Sequence, residues 1–269
     1  MLRILIVTLC LPFGAWAASP GEVARLHDIL QTDELMDILS EEGLMQSEAL
    51  RDDMFPGRGG IGWTATVERI YAPERLGALF RSAFDKELET DDVGELLTFY
   101  QGDTGAQVAT LEVSARRAIM SDEVEEAAIA AYQEIAGSGS AREALLDEFA
   151  EINGLVDRNV AGALNANLAF YRGLASGDGF EMDEASMLSD VWSQEEGIRD
   201  DTTEWIYGFM AFAYEPLSDD ELRTYVDVTA TRAGRDLNRA LFAGFDAIFA
   251  DVSFALGAAA ADFSSGDEL

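Results

Sequence analysis

Cysteine, histidine and lysine are almost missing from this chain of 269 residues, which carries one Cys, one His and a single lysine, Lys86. Cys10 lies inside an apolar N-terminal stretch, so removal of that stretch leaves no thiol, no disulfide and no thiolate metal site. A Ser-His-Asp triad would need His27 as its base, and no G-x-S-x-G elbow occurs anywhere in the chain. Zinc sites usually draw on two or more His or Cys ligands, which this composition does not supply. His27, between Leu26 and Asp28, reads as an ordinary solvated or capping residue on a surface helix. Proline is also scarce, with 5 in the chain, and sustained period-two alternation is absent. Helical periodicity recurs almost throughout, which predicts an all-α protein.

Long apolar runs are confined to the start. Arg3 followed by Ile4 to Trp16 and the small-x-small pattern Ala15-Trp16-Ala17 reads as a secretory signal over residues 1–17. The run is too short for the roughly 20 residues that span a bilayer. Leu9 is too bulky for a lipobox before Cys10. No second long apolar run is expected, so the chain from residue 18 is predicted to be periplasmic or secreted, without an integral membrane segment. Positive charge is scarce as well: without Arg3, 17 basic residues face 51 acidic ones. Such a surface repels nucleic acid and anionic lipid and attracts cations and basic protein patches. The simplest origin of the imbalance is a hydrated, carboxylate-rich surface suited to a saline medium.

What the chain does have is a repeat. Trp63, Phe80, Leu88, Asp91, Gly105 and Ile119 recur as Trp192, Phe209, Leu217, Asp220, Gly234 and Ile248, all at one constant spacing. Leu26, Leu35, Met36 and Asp37 recur as Leu146, Leu155, Val156 and Asp157, at a constant but shorter spacing. The difference places a nine-residue insertion near Ser176–Asp190. The pattern predicts a tandem duplication of a four-to-five-helix unit forming a helical bundle: a first repeat over 18–136, a Gly/Ser linker at 137–140, a second repeat over 141–263 and a disordered tail at 264–269. Thr90 reads as an N-cap. Ser218 and Glu221 have the S-x-x-E form of a capping box. Whether the units share one core is left open by so short a linker.

The run Glu95 to Gly105, E-L-L-T-F-Y-Q-G-D-T-G, resembles the helix-turn signature of the bacterial family labelled domain of unknown function 2059. Phe99, Tyr100 and Gly105 match its F-Y-x-S-x-x-G pattern, and Gly102 stands where the family has a small hydroxyl residue. The second copy keeps Gly234 but has Val228 and Thr229 in place of the aromatic pair. The resemblance implies a signal peptide and a mainly helical fold, and no activity. Gly105 is expected to matter through a positive φ.

Other constellations carry less. Gly43-Leu44-Met45-Gln46 resembles a stretch of muramidase-like lytic transglycosylases, but the Glu-Ser pair that should precede it is missing, and the nearest acid, Glu22, is followed by Val23 and Ala24. The glycines of residues 57–62 lack the strand and later acid of a dinucleotide fingerprint. Asp178 to Glu184 supplies oxygen ligands, yet not at the spacing of a calcium loop. Trp205, Phe209 and Phe212, with Trp192 nearby, read as core. Arg232, Arg235 and Arg239 are expected to pair with Asp236 or with a facing helix. The leading expectation is therefore an exported, non-catalytic helical protein that needs no cofactor and mediates protein–protein contacts with a basic-surfaced partner. The alternatives are a carboxylate-dependent cell-wall glycan hydrolase and a weak binder of divalent cations.

Overall fold

In the computed structural model, the described residues are 19–54, 56, 60–88, 93–177, 180 and 182–265. The proposed signal peptide and Thr90 lie outside them. Every regular element among the described residues is a helix. The first half holds α1 (Pro20–Ile29), α2 (Thr32–Met54), α3 (Gly60–Ile70), α4 (Pro73–Leu88), α5 (Gly94–Tyr100), α6 (Asp103–Ala118) and α7 (Asp122–Ile135). The second holds α8 (Ala141–Asn153), α9 (Leu155–Leu174), α10 (Glu184–Ser193), α11 (Glu195–Ala213), α12 (Asp219–Thr229) and α13 (Arg232–Ser265). These are more and shorter helices than four to five per unit, because the chain often turns within one or two residues. Only Gly154, at φ 60°, separates α8 from α9.

The halves share one core. A single cluster of buried side chains runs from Val23 and Leu26 through Phe80, Leu146 and Leu222 to Phe263. Its axis is α13, whose 34 residues are rich in alanine, the strongest helix former. Leu237, Ala240, Ile248, Val252 and Leu256 are buried on it, packed mainly against α9 and α4. By length and composition α13 would cross a membrane, contrary to the expected lack of a second apolar run; here it is the central helix of the bundle. It continues to Ser265, two residues into the stretch expected to be disordered. At the α9–α13 crossing the backbones nearly touch. A Cβ on Gly173 would lie 2.8 Å from the Ala258 nitrogen, and one on Gly257 3.0 Å from the Leu174 nitrogen.

The expected linker is a capped turn rather than a hinge. Ser140 caps α8, and the Glu143 carboxylate accepts from the backbone N–H groups of Gly137 and Gly139. The turn motif is also ordered by contact rather than by φ. Gly105 sits inside α6 and is not among the positive-φ residues. A Cβ there would lie 2.7 Å from Tyr100 Cα, so α5 and α6 approach closely only over a glycine. Gly234 does the same between α12 and α13, where a Cβ would meet Thr229 Cα at 2.6 Å. α5 and α12 end at Tyr100 and Thr229, and α6 and α13 begin at Asp103 and Arg232, at the same spacing as Gly105 and Gly234.

Candidate functional site

The α5–α6 and α12–α13 turns face each other across the molecule. The Phe99 ring stacks on Tyr225, with centroids 5.9 Å apart and 1° between planes. Tyr225 is carried by α12, whose start is fixed as expected: the Ser218 hydroxyl accepts from the Glu221 N–H, while the Glu221 carboxylate accepts from the Ser218 N–H at 2.8 Å. Leu222, Tyr225, Val226 and Thr229 then fall on the buried face. Gly102, exposed, is the N-cap of α6 and offers no side-chain cap.

Between the turns lies a cavity of ≈ 300 Å³. Its wall is mostly apolar and aromatic, including Tyr100, Phe149, Trp205, Phe209, Tyr225 and Phe245. Residues at the constant spacing of the sequence pairs line it together: Leu96 with Tyr225, Tyr100 with Thr229, Ala109 with Asn238, Glu112 with Leu241, Val113 with Phe242, and Arg116 with Phe245. Leu35 and Leu155, paired at the shorter spacing, do so too. The cavity thus draws its wall from both the first and the second half of the chain.

One acid lines it among the described residues, Glu112 on α6. Its Oε1 accepts from the Tyr214 hydroxyl at 2.6 Å and from the Tyr225 hydroxyl at 2.8 Å. Glu112 is half-buried in the wall of the cavity. Desolvation raises its pKa above the ordinary carboxylate value, opposed by the hydrogen bonds from the two tyrosines. The same burial, with the Glu112 charge nearby, pushes Tyr100, Tyr214 and Tyr225 above the ordinary phenol value. Rings pack the cluster from behind: Phe149 lies 5.1 Å from Tyr225 and 5.6 Å from Tyr214.

The remaining polar groups of the wall are already engaged. Arg116, one turn along α6, is paired with Glu42 and lies 5.7 Å over the Trp205 ring. The amides of Asn153, Asn159 and Asn238 donate to the backbone carbonyls of Phe149, Leu155 and Asn153. No buried side-chain nitrogen or oxygen is left without a partner among the described residues. What remains is a chamber of aromatic faces with one carboxyl in its wall.

Several expected residues fall elsewhere. His27 is buried rather than solvated, packed on Phe84 at 4.7 Å, with Nε2 2.7 Å from Asp85 and Nδ1 3.2 Å from Thr32. Glu22 is an exposed capping-box partner of Ser19, and that hydrogen bonding lowers its pKa, the reverse of a general acid. Met45, in the G-L-M-Q stretch, is exposed. In the acidic segment of the insertion, Asp183 caps α10 and Glu184 pairs with Arg172, while Asp178, Gly179 and Glu181 lie outside the described residues. No group of three or more His, Cys, Asp or Glu side chains suited to a metal occurs among the described residues. Of the aromatic stripe, Trp205 and Phe209 line the cavity, whereas Trp192 and Phe212 are exposed. Arg239 pairs with Asp236 and with Glu87 of α4, and Arg232 with Asp236.

Glu112, Tyr214 and Tyr225 belong to no motif of the sequence, whereas Tyr100 stands in the turn signature. A signal existed: Glu112 sits three and four positions from Ala109, Val108 and Ala115, all buried, and its counterpart in the second copy is Leu241. A carboxylate within an apolar helical stripe, opposite a leucine in the repeat, marks a position that packing alone does not demand. No family model, no curated protein and no solved structure matches the chain. The resemblance to the domain of unknown function 2059 therefore rests on Phe99, Tyr100 and Gly105 alone.

Proposed function

We propose that this chain is an exported, non-catalytic binding protein, in which two diverged copies of a helical unit close over a seam cavity that holds a small, mostly apolar molecule. The observation that carries this reading is the cavity itself: ≈ 300 Å³, walled by aromatic and aliphatic side chains from matching positions of both halves. A size at the lower end of the ~300–1,000 Å³ range of small-molecule sites, with few polar groups, suits recognition by shape and burial. A glycan hydrolase draws on two carboxyl groups flanking the scissile bond, one as acid and one as base or nucleophile. Glu112 lacks that second carboxyl among the described residues of the wall. Divalent-cation binding has its support only in overall charge.

The test is titration of the chain from residue 18 with N-phenyl-1-naphthylamine, a neutral apolar probe whose emission rises out of water. Saturable one-to-one binding that is lost in Leu241→Trp, which fills the cavity from α13, supports the reading. Unsaturable binding, or equal binding by a folded Leu241→Trp variant, refutes it.

A second reading, contact with a basic-surfaced protein, draws on α10. Leu188 and Trp192, one turn apart, are 38% and 64% exposed on a strongly acidic chain. An aromatic anchor within a charged surround suits charge-steered association. Trp192→Ser should weaken such a complex while leaving probe binding in the cavity intact.

A further inference from the structure

We propose that the ligand of the seam cavity is an organic cation, an amine on a hydrophobic body, whose ammonium group seats on the free oxygen of Glu112 among aromatic faces. This rests on the binding reading above and names the chemistry of the same site.

Three observations carry it. First, both tyrosine donors go to the same atom, Oε1 of Glu112, and Oε2 accepts no hydrogen bond from any described residue. That oxygen belongs to a side chain of the cavity wall, so it is an acceptor open to a ligand. Second, what the wall offers is complementary to a donor. Tyr214 and Tyr225 have committed their protons to Glu112, and the amides of Asn153, Asn159 and Asn238 have committed theirs to backbone carbonyls. Ring faces remain, and these attract a cation through their quadrupoles, most strongly when water is excluded. Third, the protein supplies no free cation of its own to the carboxyl. Arg116, the one basic residue of the wall among the described residues, is held by Glu42 and stacked over Trp205. An ionised Glu112 therefore faces no counter-charge, and an ammonium ion would provide it. An anionic ligand such as a fatty acid would instead meet a carboxylate in a poorly solvated chamber. The formal net charge of −33 also concentrates cations around the molecule.

The proton balance follows. With Glu112 protonated in the empty cavity, entry of an ammonium ion expels the Oε2 proton to solvent. The ligand N–H then donates to Oε2, so one proton is released for each cation bound. Entry of a neutral amine would move the same proton from Oε2 to the nitrogen. The titratable or charged groups facing Glu112 are Tyr100 of α5, Tyr214 after α11, Tyr225 of α12 and, along α6, Arg116 with Glu42 of α2 behind it. Burial raises all three phenols above the ordinary phenol value and Glu112 above the ordinary carboxylate value.

The experiment is isothermal titration of the chain from residue 18 with phenethylamine, 2-phenylethanol and 3-phenylpropionate at pH 7. Each titration is run in phosphate and in Tris, whose ionisation enthalpies differ. The amine should bind tenfold or more tighter than the alcohol, and any proton displaced from Glu112 shows as a buffer-dependent enthalpy. E112Q should level amine and alcohol and abolish that buffer dependence. A preference of less than tenfold, or tighter binding of the carboxylate, overturns the cation assignment while the cavity reading stands. Failure of all three ligands and of the neutral naphthylamine probe overturns both. The amine–alcohol comparison is made on the unaltered protein, so an unfolded E112Q leaves the inference open to refutation.

Discussion

Alanine at Gly105 or Gly234 would isolate the contact that builds the two facing turns. Neither glycine has a positive φ, and both lie in the first turn of a long helix. Backbone conformation therefore does not penalise alanine, whose helix propensity would instead favour it by about 1 kcal/mol. The cost comes from space. A Cβ on Gly105 would stand 2.7 Å from Phe99 C and Tyr100 Cα, and one on Gly234 2.6 Å from Thr229 Cα and 2.8 Å from Thr229 C. Ordinary contacts of this kind lie at about 3.4–4.0 Å, so some 0.7 Å or more must be recovered. The obstructing atoms are backbone, so no rotamer change relieves them. α5 would have to lift from α6, and α5 holds Leu96, Leu97 and Tyr100 in the core. Overpacking costs about 1–3 kcal/mol, and a backbone obstruction belongs at the upper end, near 3 kcal/mol. Net of the gain in helix propensity the loss is about 2 kcal/mol, and at about 2–4 °C per kcal/mol for a chain of this size each variant should melt about 4–8 °C below the parent. Gly197→Ala is the control: it lies in α11 with nothing within 4 Å of a Cβ, and should raise stability by about 0.5–1 kcal/mol. The assay is thermal unfolding followed by circular dichroism at 222 nm. If Gly105→Ala and Gly234→Ala melt within 2 °C of the parent, the close-approach account of both turns is wrong.

His27→Ala should cost about 2–4 kcal/mol in urea denaturation, because it opens a void against Phe80 and Phe84 and strips buried Thr32 of its imidazole partner; a loss under 1 kcal/mol would return His27 to the surface. Glu112→Gln should change how stability depends on pH. A carboxyl whose pKa is raised by folding binds its proton more tightly in the native state, so its contribution falls as pH rises from the unfolded value through the folded one. The variant lacks that term, and its melting temperature should gain on the parent's between pH 4.5 and 8; a constant difference refutes the assignment. Using the difference cancels the opposite trend from Glu22, Glu143 and Asp183, whose pKa values are lowered by backbone hydrogen bonds. Ser218→Ala removes a complete capping box and should cost about 1 kcal/mol by chemical denaturation. Ser218→Asp should recover most of it.

Local chemistry was legible in the sequence where one segment carries it. The capping box of α12 and the all-helical pattern depend on residues a few positions apart, and the structure has them. His27 was misread because its neighbours Leu26 and Asp28 describe an amphipathic helix edge, whereas its burial is decided by Phe80, Phe84 and Asp85 of α4. Gly105 was singled out correctly and explained wrongly. A glycine near a turn suggests φ, while a close helix crossing depends on a backbone contact that no residue type announces.

The positions paired by constant spacing in the sequence separate packing from chemistry. Where paired positions agree, as at Gly105 and Gly234, both residues serve a close helix approach. Where they differ around the cavity, the polar member stands out against an apolar or unrelated counterpart: Glu112 against Leu241, Tyr225 against Leu96, Tyr214 against Asp85. Leucine at 241 fills an equivalent place in the wall, so the unit does not require an acid there. A desolvated carboxyl opposes folding, and the hydroxyls that hold it are committed to Oε1 alone. On the proposed binding reading, a group that costs stability, is replaced by leucine at the paired position and is held by tyrosines from two other parts of the chain is explained by what enters the cavity. That reading makes Glu112 the position at which binding and folding pull in opposite directions.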